Sequence, residues 1–274
     1  MALKTKDIKP RIATEIHADK SALLSGEHAG EIRELLEQRG VLVFPRIEFT
    51  DEEQVAFTKT LGKFAPELRD GAGENVHKIS LDTSQTASAE YLKGSMYWHI
   101  DGTMNDVPIL ASILSAKVLS PEGGQTEFCN TYAAYDDLPE AEKAEYDKLR
   151  VMHSAWNTLF YYEPEPAHAK LKAMMGIGDN ELPLVWKHRS GRKSLVLGCT
   201  AYEVVGKSRR ESAELLVKLR EWATRDQFVY RHEWTVGDTV MWDNTGTMHR
   251  ALPYDPACGR MLHRTKLEGE EAFA

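Results

Sequence analysis

From Tyr97 onward the chain is dominated by short strand-like segments, and this feature limits its fold more than any other. The first three cover residues 97–101, 111–118 and 125–128. Further on, two apolar segments joined by HRSGRK predict a β-hairpin. Many short strands with few helices predict a β-sandwich or jelly roll. The chain has 274 residues, which is long enough for one such domain with a sizeable core.

Helical patterns occupy only a few places in the sequence. Thr50 has the character of an N-cap residue, and Glu53 stands where it would complete a capping box. Gly40 and Gly62 stand where helices are expected to end. Helices are predicted over 27–39, from residue 50 to about 61, over 138–150 and over 208–225. We expect these helices to pack on the outside of a β core.

No repeat, low-complexity tract or long linker divides the chain. A single domain over 1–274 is therefore predicted. Two regions, around 71–94 and 153–182, are predicted to form a lid or insert. The second is rich in aromatic residues, which favours a bulky apolar ligand beneath it.

The composition excludes several classes of protein. A formal charge of −8 argues against a broad basic surface for nucleic acid. No apolar run approaches the roughly 18 residues of a membrane span, and the charged start MALKTKDIKP predicts no signal peptide. Cys129, Cys199 and Cys258 are widely spaced, with no C-x-x-C pair. They predict free thiols in a reducing compartment, and so a cytoplasmic protein.

The stretch YWHIDGT places His99 and Asp101 two residues apart. In a strand both side chains would lie on one face, with Trp98 and Ile100 turned to the core. A buried imidazole and carboxylate need a partner, which a divalent metal supplies. The triplet HAD at 17–19 has the same spacing, and with 10 histidines and 42 acidic residues roughly one or two such triplets arise by chance. That copy lies in a charged, turn-like segment and is predicted to be solvated surface.

A late segment offers the third ligand. His249 lies in WDNTGTMHRALPYD, and Arg260 follows eleven residues later. If RMLHRTKL is a strand, the side chains of Arg260 and Arg264 lie on the same face of it. Two arginines inside a β core require an anion. Two histidines and one carboxylate form the facial triad of non-haem Fe(II) oxygenases, which leaves open positions for an α-keto acid and O₂. An arginine is then expected to bind the far carboxylate of the keto acid.

Taken in order, these residues resemble the taurine and phenoxyalkanoate dioxygenase family. The matching pieces are KGSMYWHIDGT, GGQTEFCNTYAAYDDL, GRKSLVLG, WDNTGTMHRALPYD and the N-terminal RGVLVFPRIEFTDEEQVAFTKTLGKF, so the resemblance covers almost the whole chain. LKGSMYWH and GGQTEF are closer to the phenoxyalkanoate branch than to the taurine branch. The resemblance implies a double-stranded β-helix. It also implies an enzyme that couples decarboxylation of 2-oxoglutarate to hydroxylation of a C–H bond, with Fe(II) and O₂.

Carried over position by position, the resemblance implies an iron site and a cosubstrate site. His99, Asp101 and His249 are the implied iron ligands. Thr126 and Arg260 are implied on the distal carboxylate of 2-oxoglutarate. Relatives that halogenate replace the carboxylate ligand with a small residue, so the retained Asp101 argues against a halogenase.

The implied substrate is a small organic anion, namely an aryloxyalkanoate-like carboxylate, a sulfonate or a sulfate ester. Hydroxylation next to its oxygen would cleave an ether or ester. Arg264 matches a position that often meets an anionic group of the substrate, and Trp242 matches a tryptophan that packs near the iron. Lys93 is a candidate contact for the anion. Tyr97 and Met104 are candidate lining residues.

Two alternatives use the same three ligands. One is a Zn²⁺-dependent hydrolase, which would leave Arg260 without a role. The other is a non-catalytic β-helix that binds a small anion. The resemblance further implies a homo-oligomer of two to four chains, and no nucleic-acid or membrane partner is predicted.

Overall fold

The computed structural model describes residues 3–67, 73, 75–84 and 89–274. Within them the strands are β1 Lys4–Asp7, β2 Thr14–His17, β3 Val41–Phe44, β4 His77–Ile79, β5 Ala111–Val118, β6 Thr126–Asn130, β7 Arg150–Ser154, β8 Asp179–Pro183, β9 Val185–Lys187, β10 Lys193–Leu195, β11 Ala201–Val204, β12 Val229–His232, β13 Thr239–Asp243, β14 Thr247–Ala251 and β15 Met261–Leu267. The α-helices are α1 Lys20–Ser25, α2 Ala29–Arg39, α3 Asp51–Leu61, α4 Ala89–Leu92, α5 Thr131–Asp136, α6 Glu140–Tyr146, α7 Ala155–Tyr162, α8 His168–Met175 and α9 Arg209–Ala223. Short 3-10 helices cover Lys93–Met96, Asp226–Phe228 and Pro256–Cys258.

Two sheets face each other across an apolar core. The larger has seven strands in the order β1-β2-β3-β13-β5-β15-β4, and all its pairs are antiparallel except β2 with β3. The smaller has the order β12-β6-β14. Val41, Leu114 and Val240 from the large sheet pack with Phe128 and Tyr230 from the small one. This is the predicted jelly-roll core of antiparallel strands.

Helices α2 and α3 cover the outer face of the large sheet, as predicted, and α1, which was not predicted, packs beside them. Leu23, Ile32 and Phe57, one from each helix, pack with Leu42 and Met241 of the sheet. The predicted capping box at the start of α3 is present, because the Thr50 and Glu53 side chains each accept a bond from the other's backbone N–H. None of the helices in the described part of the chain is long and apolar enough to cross a bilayer.

The structure is more helical than the sequence patterns predict. The predicted helix over 138–150 is confined to Glu140–Tyr146, because Pro139 occupies the N-cap position and Arg150 already opens β7. Helices α5, α7 and α8 were not predicted. Together with α9 they lie near the small sheets β11-β7-β8 and β10-β9, which share a third apolar core.

The predicted strand over 97–101 is wrong. Residues 97–101 form a single bridge, His99 with His249, and a turn begins at Asp101. Gly102 has a φ of 92°, and a Cβ there would lie 2.9 Å from the backbone nitrogen of Ile109, so the chain turns too sharply to continue as a strand. The alternation of faces is nevertheless as predicted, since Trp98 and Ile100 are buried in the third core.

The two predicted lid regions are only partly described. Residues 71, 72, 74 and 85–88, on which the first prediction falls, lie outside the described residues. Around them the chain forms β4 and α4. The second region, 153–182, contains the end of β7, both α7 and α8, and most of β8. The single-domain organisation with these two lids stays a prediction.

Candidate metal centre

The structure brings His99, Asp101 and His249 together inside the β core. His249 lies on β14, and β14 bonds to the His99 segment in both directions. His99 N donates to His249 O at 3.1 Å, and His249 N donates to His99 O at 2.9 Å. The two imidazole rings lie 4.1 Å apart between centroids. Asp101, two residues on, starts the turn that carries its carboxylate to the same place.

The spacing of these side chains fits a shared cation. Nε2 of His99 lies 3.7 Å from Oδ1 of Asp101, and Nε2 of His249 lies 3.9 Å from Oδ2. Both distances are too long for hydrogen bonds. One ligand atom from each of the three residues lies within 4.8 Å of the others. Two imidazoles and one carboxylate are also the donor set of a non-haem Fe(II) site.

The electrostatics favour ligation as well. Burial raises the pKa of Asp101, but the charges around it, Arg264 foremost, outweigh burial and hold that pKa well below its usual value. Burial, followed by the charge of His99, holds the pKa of His249 well below its usual range. An ionised carboxylate and a neutral imidazole are the forms that bind a metal. The Nδ1 atom of His99 lies 2.8 Å from the carbonyl of Tyr97, so a proton on Nδ1 leaves Nε2 free to coordinate.

Packing orients the ring of His249. Its Nδ1 has no hydrogen-bond partner among the described residues. The indole of Trp242 lies 4.7 Å away and the ring of Phe128 6.3 Å away, both measured between centroids. Trp242 is itself fixed by a 2.8 Å bond from Nε1 to Oδ1 of Asn244. Trp242 therefore packs against a candidate ligand.

Arg260 is a buried cation without a counter-ion. It is 2% exposed, and no carboxylate among the described residues pairs with it. Its Nη2 donates to the carbonyl of Gly124 at 2.8 Å, its guanidinium lies 4.6 Å from the ring centroid of Tyr254, and its Nε is buried without a partner. Because a buried guanidinium requires pairing, the site fits the carboxylate of a bound organic acid such as 2-oxoglutarate.

The glycine pair before Thr126 makes room for this arginine. Gly123 and Gly124 have φ of 71° and 76°. A Cβ on Gly124 would lie 2.8 Å from Nε of Arg260, and one on Gly123 would lie 2.1 Å from the carbonyl of Pro253. The hydroxyl of Thr126, on β6, is buried and accepts a 3.0 Å bond from Nε1 of Trp234.

Arg264 and Asp101 lie side by side. Nη1 of Arg264 donates to Oδ2 of Asp101 at 3.4 Å, and Nη2 lies 3.5 Å from Oε2 of Glu67. Lys266 reaches the same Glu67 oxygen at 2.8 Å. Sequence reasoning missed Glu67 and Lys266. Lys266 could have been found, because on β15 it stands two residues from Arg264 and so shares its face.

A cleft of about 510 Å³ is lined by residues from the first lid region, the segment before His99 and α7. Among its lining residues are Lys93 and Tyr97, which are both predicted substrate contacts, and the aromatic Tyr162. Lys93 is half-exposed and donates to Glu90 at 2.6 Å, while the ring of Tyr97 lies 5.2 Å from that of Tyr161. Met104 is half-buried in the turn after Asp101 and does not line this cleft.

Comparisons with known proteins agree over the whole chain. The family described as "Taurine catabolism dioxygenase TauD, TfdA family" matches residues 4–266. The alpha-ketoglutarate-dependent 2,4-dichlorophenoxyacetate dioxygenase of Burkholderia sp. (strain RASC) is 33% identical, over 98% of this chain and 95% of that protein. An alkylsulfatase of Acinetobacter baylyi is 31% identical, over 98% and 86%. The solved structure of AAD-2 with Mn(II) and N-oxalylglycine has a TM-score of 0.84 and 31% identity, with each chain fully covered.

Proposed function

The chain belongs to the TauD, TfdA family of dioxygenases, and from this membership we propose which of its residues carry the reaction and what it acts on. The predicted family, double-stranded β-helix and reaction class are confirmed: the chain is a 2-oxoglutarate-dependent dioxygenase that uses Fe(II) and O₂. The alternatives of a zinc hydrolase and of a non-catalytic anion-binding β-helix do not fit this family.

We propose that His99, Asp101 and His249 hold the Fe(II), and that Arg260 with Thr126 binds the distal carboxylate of 2-oxoglutarate. The observation that carries this proposal is that three ligand atoms lie within 4.8 Å of one another in a β core that also holds a buried arginine without a counter-ion among the described residues. When bound, Fe(II) and 2-oxoglutarate supply the activation of O₂ and release succinate and CO₂.

The residues of the chain supply position and a dry environment. The lowered pKa values of Asp101 and His249 favour an ionised carboxylate and a neutral imidazole, the forms that bind a metal. Arg260 fixes one end of the cosubstrate through charge-assisted bonds. Trp242 and Phe128 fill the space beside His249 and exclude water from it. Such positioning is the main contribution of a protein to this chemistry, because an error of about 1 Å can cost a large factor in rate.

The proposed substrate is a small organic anion with an apolar or aromatic body. Met96, Tyr97 and Tyr162 give the cleft apolar walls, and Lys93 adds a cation at its rim. Arg264 has a buried Nε without a partner among the described residues, and its two contacts with carboxylates are long. It therefore keeps the capacity to bind an anionic group of the substrate. The named relatives, a 2,4-dichlorophenoxyacetate dioxygenase and an alkylsulfatase, point to aryloxyalkanoates and alkyl sulfates.

A screen of organic acids tests this function. The purified protein, with Fe(II) and 2-oxoglutarate, is given aryloxyacetates, aryloxypropionates, alkyl sulfates and alkyl sulfonates, and succinate is measured. We expect one class to raise succinate release well above the rate without substrate, and Asp101→Ala to abolish that increase. A set of uncharged ethers of the same size is the control. Equal stimulation by ethers and anions would contradict the proposed anion contact.

We also propose a homo-oligomer and a reducing compartment. Phe160 on α7, Met175 at the end of α8 and nearby Ile177 are exposed apolar residues that a second copy could cover. All three cysteines are free, which supports the predicted cytoplasmic location. Light scattering on the purified protein measures the number of chains, and a monomer would contradict the first proposal.

A further inference from the structure

A row of charged and aromatic side chains lies directly behind the candidate metal centre. In the small sheet, Arg231 of β12 and Arg250 of β14 both stand opposite Glu127 of β6. The bridge between His99 and His249 continues the row, because it places Trp98 opposite Arg250. Successive residues of an extended chain point to opposite faces. The row therefore occupies the outer face, while the neighbouring row, with His249 and His99, faces inward.

The members of this row bond to one another. Arg231 donates from Nε and Nη2 to Oε1 of Glu127 at 2.9 and 2.7 Å. Arg250 holds the other oxygen, with its Nε 2.8 Å and its Nη2 2.7 Å from Oε2. The guanidinium of Arg250 also lies 4.7 Å from the ring centroid of Trp98. Glu127 thus fixes the plane of Arg250, and Arg250 covers the face of Trp98.

The two arginines differ in the exposure of their side chains. The side chain of Glu127 is 6% exposed, that of Arg250 35% and that of Arg231 54%. A carboxylate that is taken out of water is unfavourable unless it is well paired, so a buried ion pair is weak evidence of stability and better evidence of geometry. A guanidinium is attracted to the face of an indole ring, more strongly where water is excluded.

The segment that carries His99 and Asp101 needs such support. It is not a regular strand, and its backbone joins β14 at the one bridge of His99 with His249. On its other side, the carbonyl of Trp98 accepts a 2.8 Å bond from the nitrogen of Cys199. The contact of Arg250 with Trp98 is a side-chain link between the two ligand-bearing segments. It joins the residue before one candidate ligand to the residue after the other.

We propose that Glu127 and Arg250 are positioning residues of the metal centre, which hold Trp98, and with it His99, at the distance from His249 that a shared ion requires. This inference rests on the proposed function, because it assumes that His99 and His249 bind one metal. The pair itself touches neither metal nor substrate. It acts on the two histidines through the backbone, because Trp98 precedes His99 and Arg250 follows His249.

Titration of the full chain with Co(II), followed by the visible bands of the bound ion, tests this role. Arg250→Gln removes the fork and the stacked plane, and we expect Co(II) affinity to fall about 10- to 100-fold, as for other residues that orient metal ligands. Arg231→Gln is the matched control, since Arg231 bonds to the same carboxylate but does not reach Trp98. Its affinity should stay within about twofold of the wild type. Arg250→Lys keeps the charge without the planar fork, and we expect an intermediate affinity.

A second variant and a stability measurement keep the test decisive. Trp98→Leu keeps an apolar core residue and removes the ring, so it should reproduce the loss seen in Arg250→Gln. The thermal midpoints of the metal-free proteins show whether a loss of affinity merely follows a loss of stability. Equal loss of affinity in Arg250→Gln and Arg231→Gln, or wild-type affinity and bands in Arg250→Gln, would overturn the inference.

The wild type separates this inference from the proposed function. If the wild type binds Co(II) and His249→Ala does not, the metal site is supported, whatever the affinities of the variants at Arg250, Arg231 and Trp98. If the wild type binds no Co(II), or His249→Ala binds it equally well, the metal site itself is wrong.

Discussion

The chain contains the triplet His-x-Asp twice, and the two copies have opposite surroundings. His17 ends β2 with its side chain 43% exposed, and its ring pairs with Glu15 at 3.2 Å. Asp19 stands at the N-cap position of α1 without a side-chain capping bond. The side chains of His99 and Asp101 are 16% and 15% exposed and face a third ligand atom. The same three-residue pattern thus gives a surface pair in one place and a candidate metal site in the other.

The difference comes from what the rest of the chain places beside each copy. The inner copy has His249 from β14 and Arg264 from β15 within reach, and both strands lie far along the sequence. The outer copy has a local glutamate and solvent. Spacing alone therefore decides nothing about metal binding. Metal binding depends instead on whether the fold places a further ligand and an opposite charge beside the pair.

The largest expected difference concerns the metal. Asp101→Ala removes an ionised ligand from a buried site, and we expect Co(II) or Mn(II) affinity to fall by about 100-fold or more. Asp19→Ala is the matched control and should leave the affinity unchanged, because Asp19 belongs to no three-ligand group among the described residues. Metal titration of both variants measures the difference. Wild-type affinity in Asp101→Ala would remove the distinction between the two copies.

The second difference concerns the arginines near each copy. Arg260→Ala should raise the dissociation constant of 2-oxoglutarate roughly 10- to 100-fold, because charge-assisted bonds are worth about 1.5–3 kcal/mol, and leave metal affinity nearly unchanged. Arg39, near the N-terminal copy, already bonds to Thr14 and to the carbonyls of Lys9 and Pro10.

Arg39→Ala is therefore the control: it should lower stability without changing the affinity for 2-oxoglutarate. Isothermal titration of the metal-loaded proteins with 2-oxoglutarate measures the affinity for the cosubstrate in both variants. Equal losses of metal and cosubstrate in Arg260→Ala would mean that Arg260 is structural rather than a cosubstrate contact.

Features that depend on local sequence could be predicted. The strand Ala111–Val118 matches its predicted bounds, because it is an apolar run between clear breakers. The start of α3 was predicted from Thr50 and Glu53, whose side chains interact within one turn. Helix Ala155–Tyr162 was missed, because half of AWNTLFYY is aromatic and the segment lacks a periodic polar face.

The candidate site divides in the same way. His99, Asp101, His249 and Arg260 could be named because their types and order carry the signal. The contact of Arg250 with Trp98 could not, since it depends on the register that a single bridge sets between distant segments. Glu67 gave no signal either. Its place beside Arg264 follows from the tertiary path of a segment without a regular pattern.

A third aspartate separates burial from the charge of the neighbours. Asp243 is 3% exposed, and its hydrogen-bond donors are neutral: Thr245 donates from its N–H and its hydroxyl at 2.8 and 2.6 Å, and Tyr132 from its hydroxyl at 3.4 Å. Burial raises the pKa of Asp243 to about 6. Burial with only neutral hydrogen-bond donors thus shifts the pKa of a carboxyl group upward, the opposite of the shift at Asp101.

This contrast predicts a pH dependence of stability. The folded pKa of Asp243 lies above the unfolded value, so the folded state binds more protons between about pH 4 and 6, and stability contributed by this group rises as the pH falls through that window. Between pH 7.5 and pH 5 the wild type should gain about 1 kcal/mol relative to Asp243→Asn, which cannot titrate. Urea unfolding of both proteins at the two pH values measures it. A difference that does not change with pH would show that Asp243 is ionised in spite of its burial.

The smallest expected effect concerns Glu67, the carboxylate that shares Arg264 with Asp101. Glu67→Gln removes a negative charge beside Lys266 and beside Arg264, the proposed contact of the substrate anion. We expect the KM of an anionic substrate found in the succinate screen to fall roughly threefold, a size typical of one partly screened ion pair. Glu181→Gln makes the same change in net charge at a surface pair with Arg150 and should leave KM unchanged. A higher KM in Glu67→Gln would show instead that Glu67 orients Arg264 for the substrate. The positive charge beside the inner copy would then depend on Glu67, Lys266 and Arg264 together rather than on Arg264 alone.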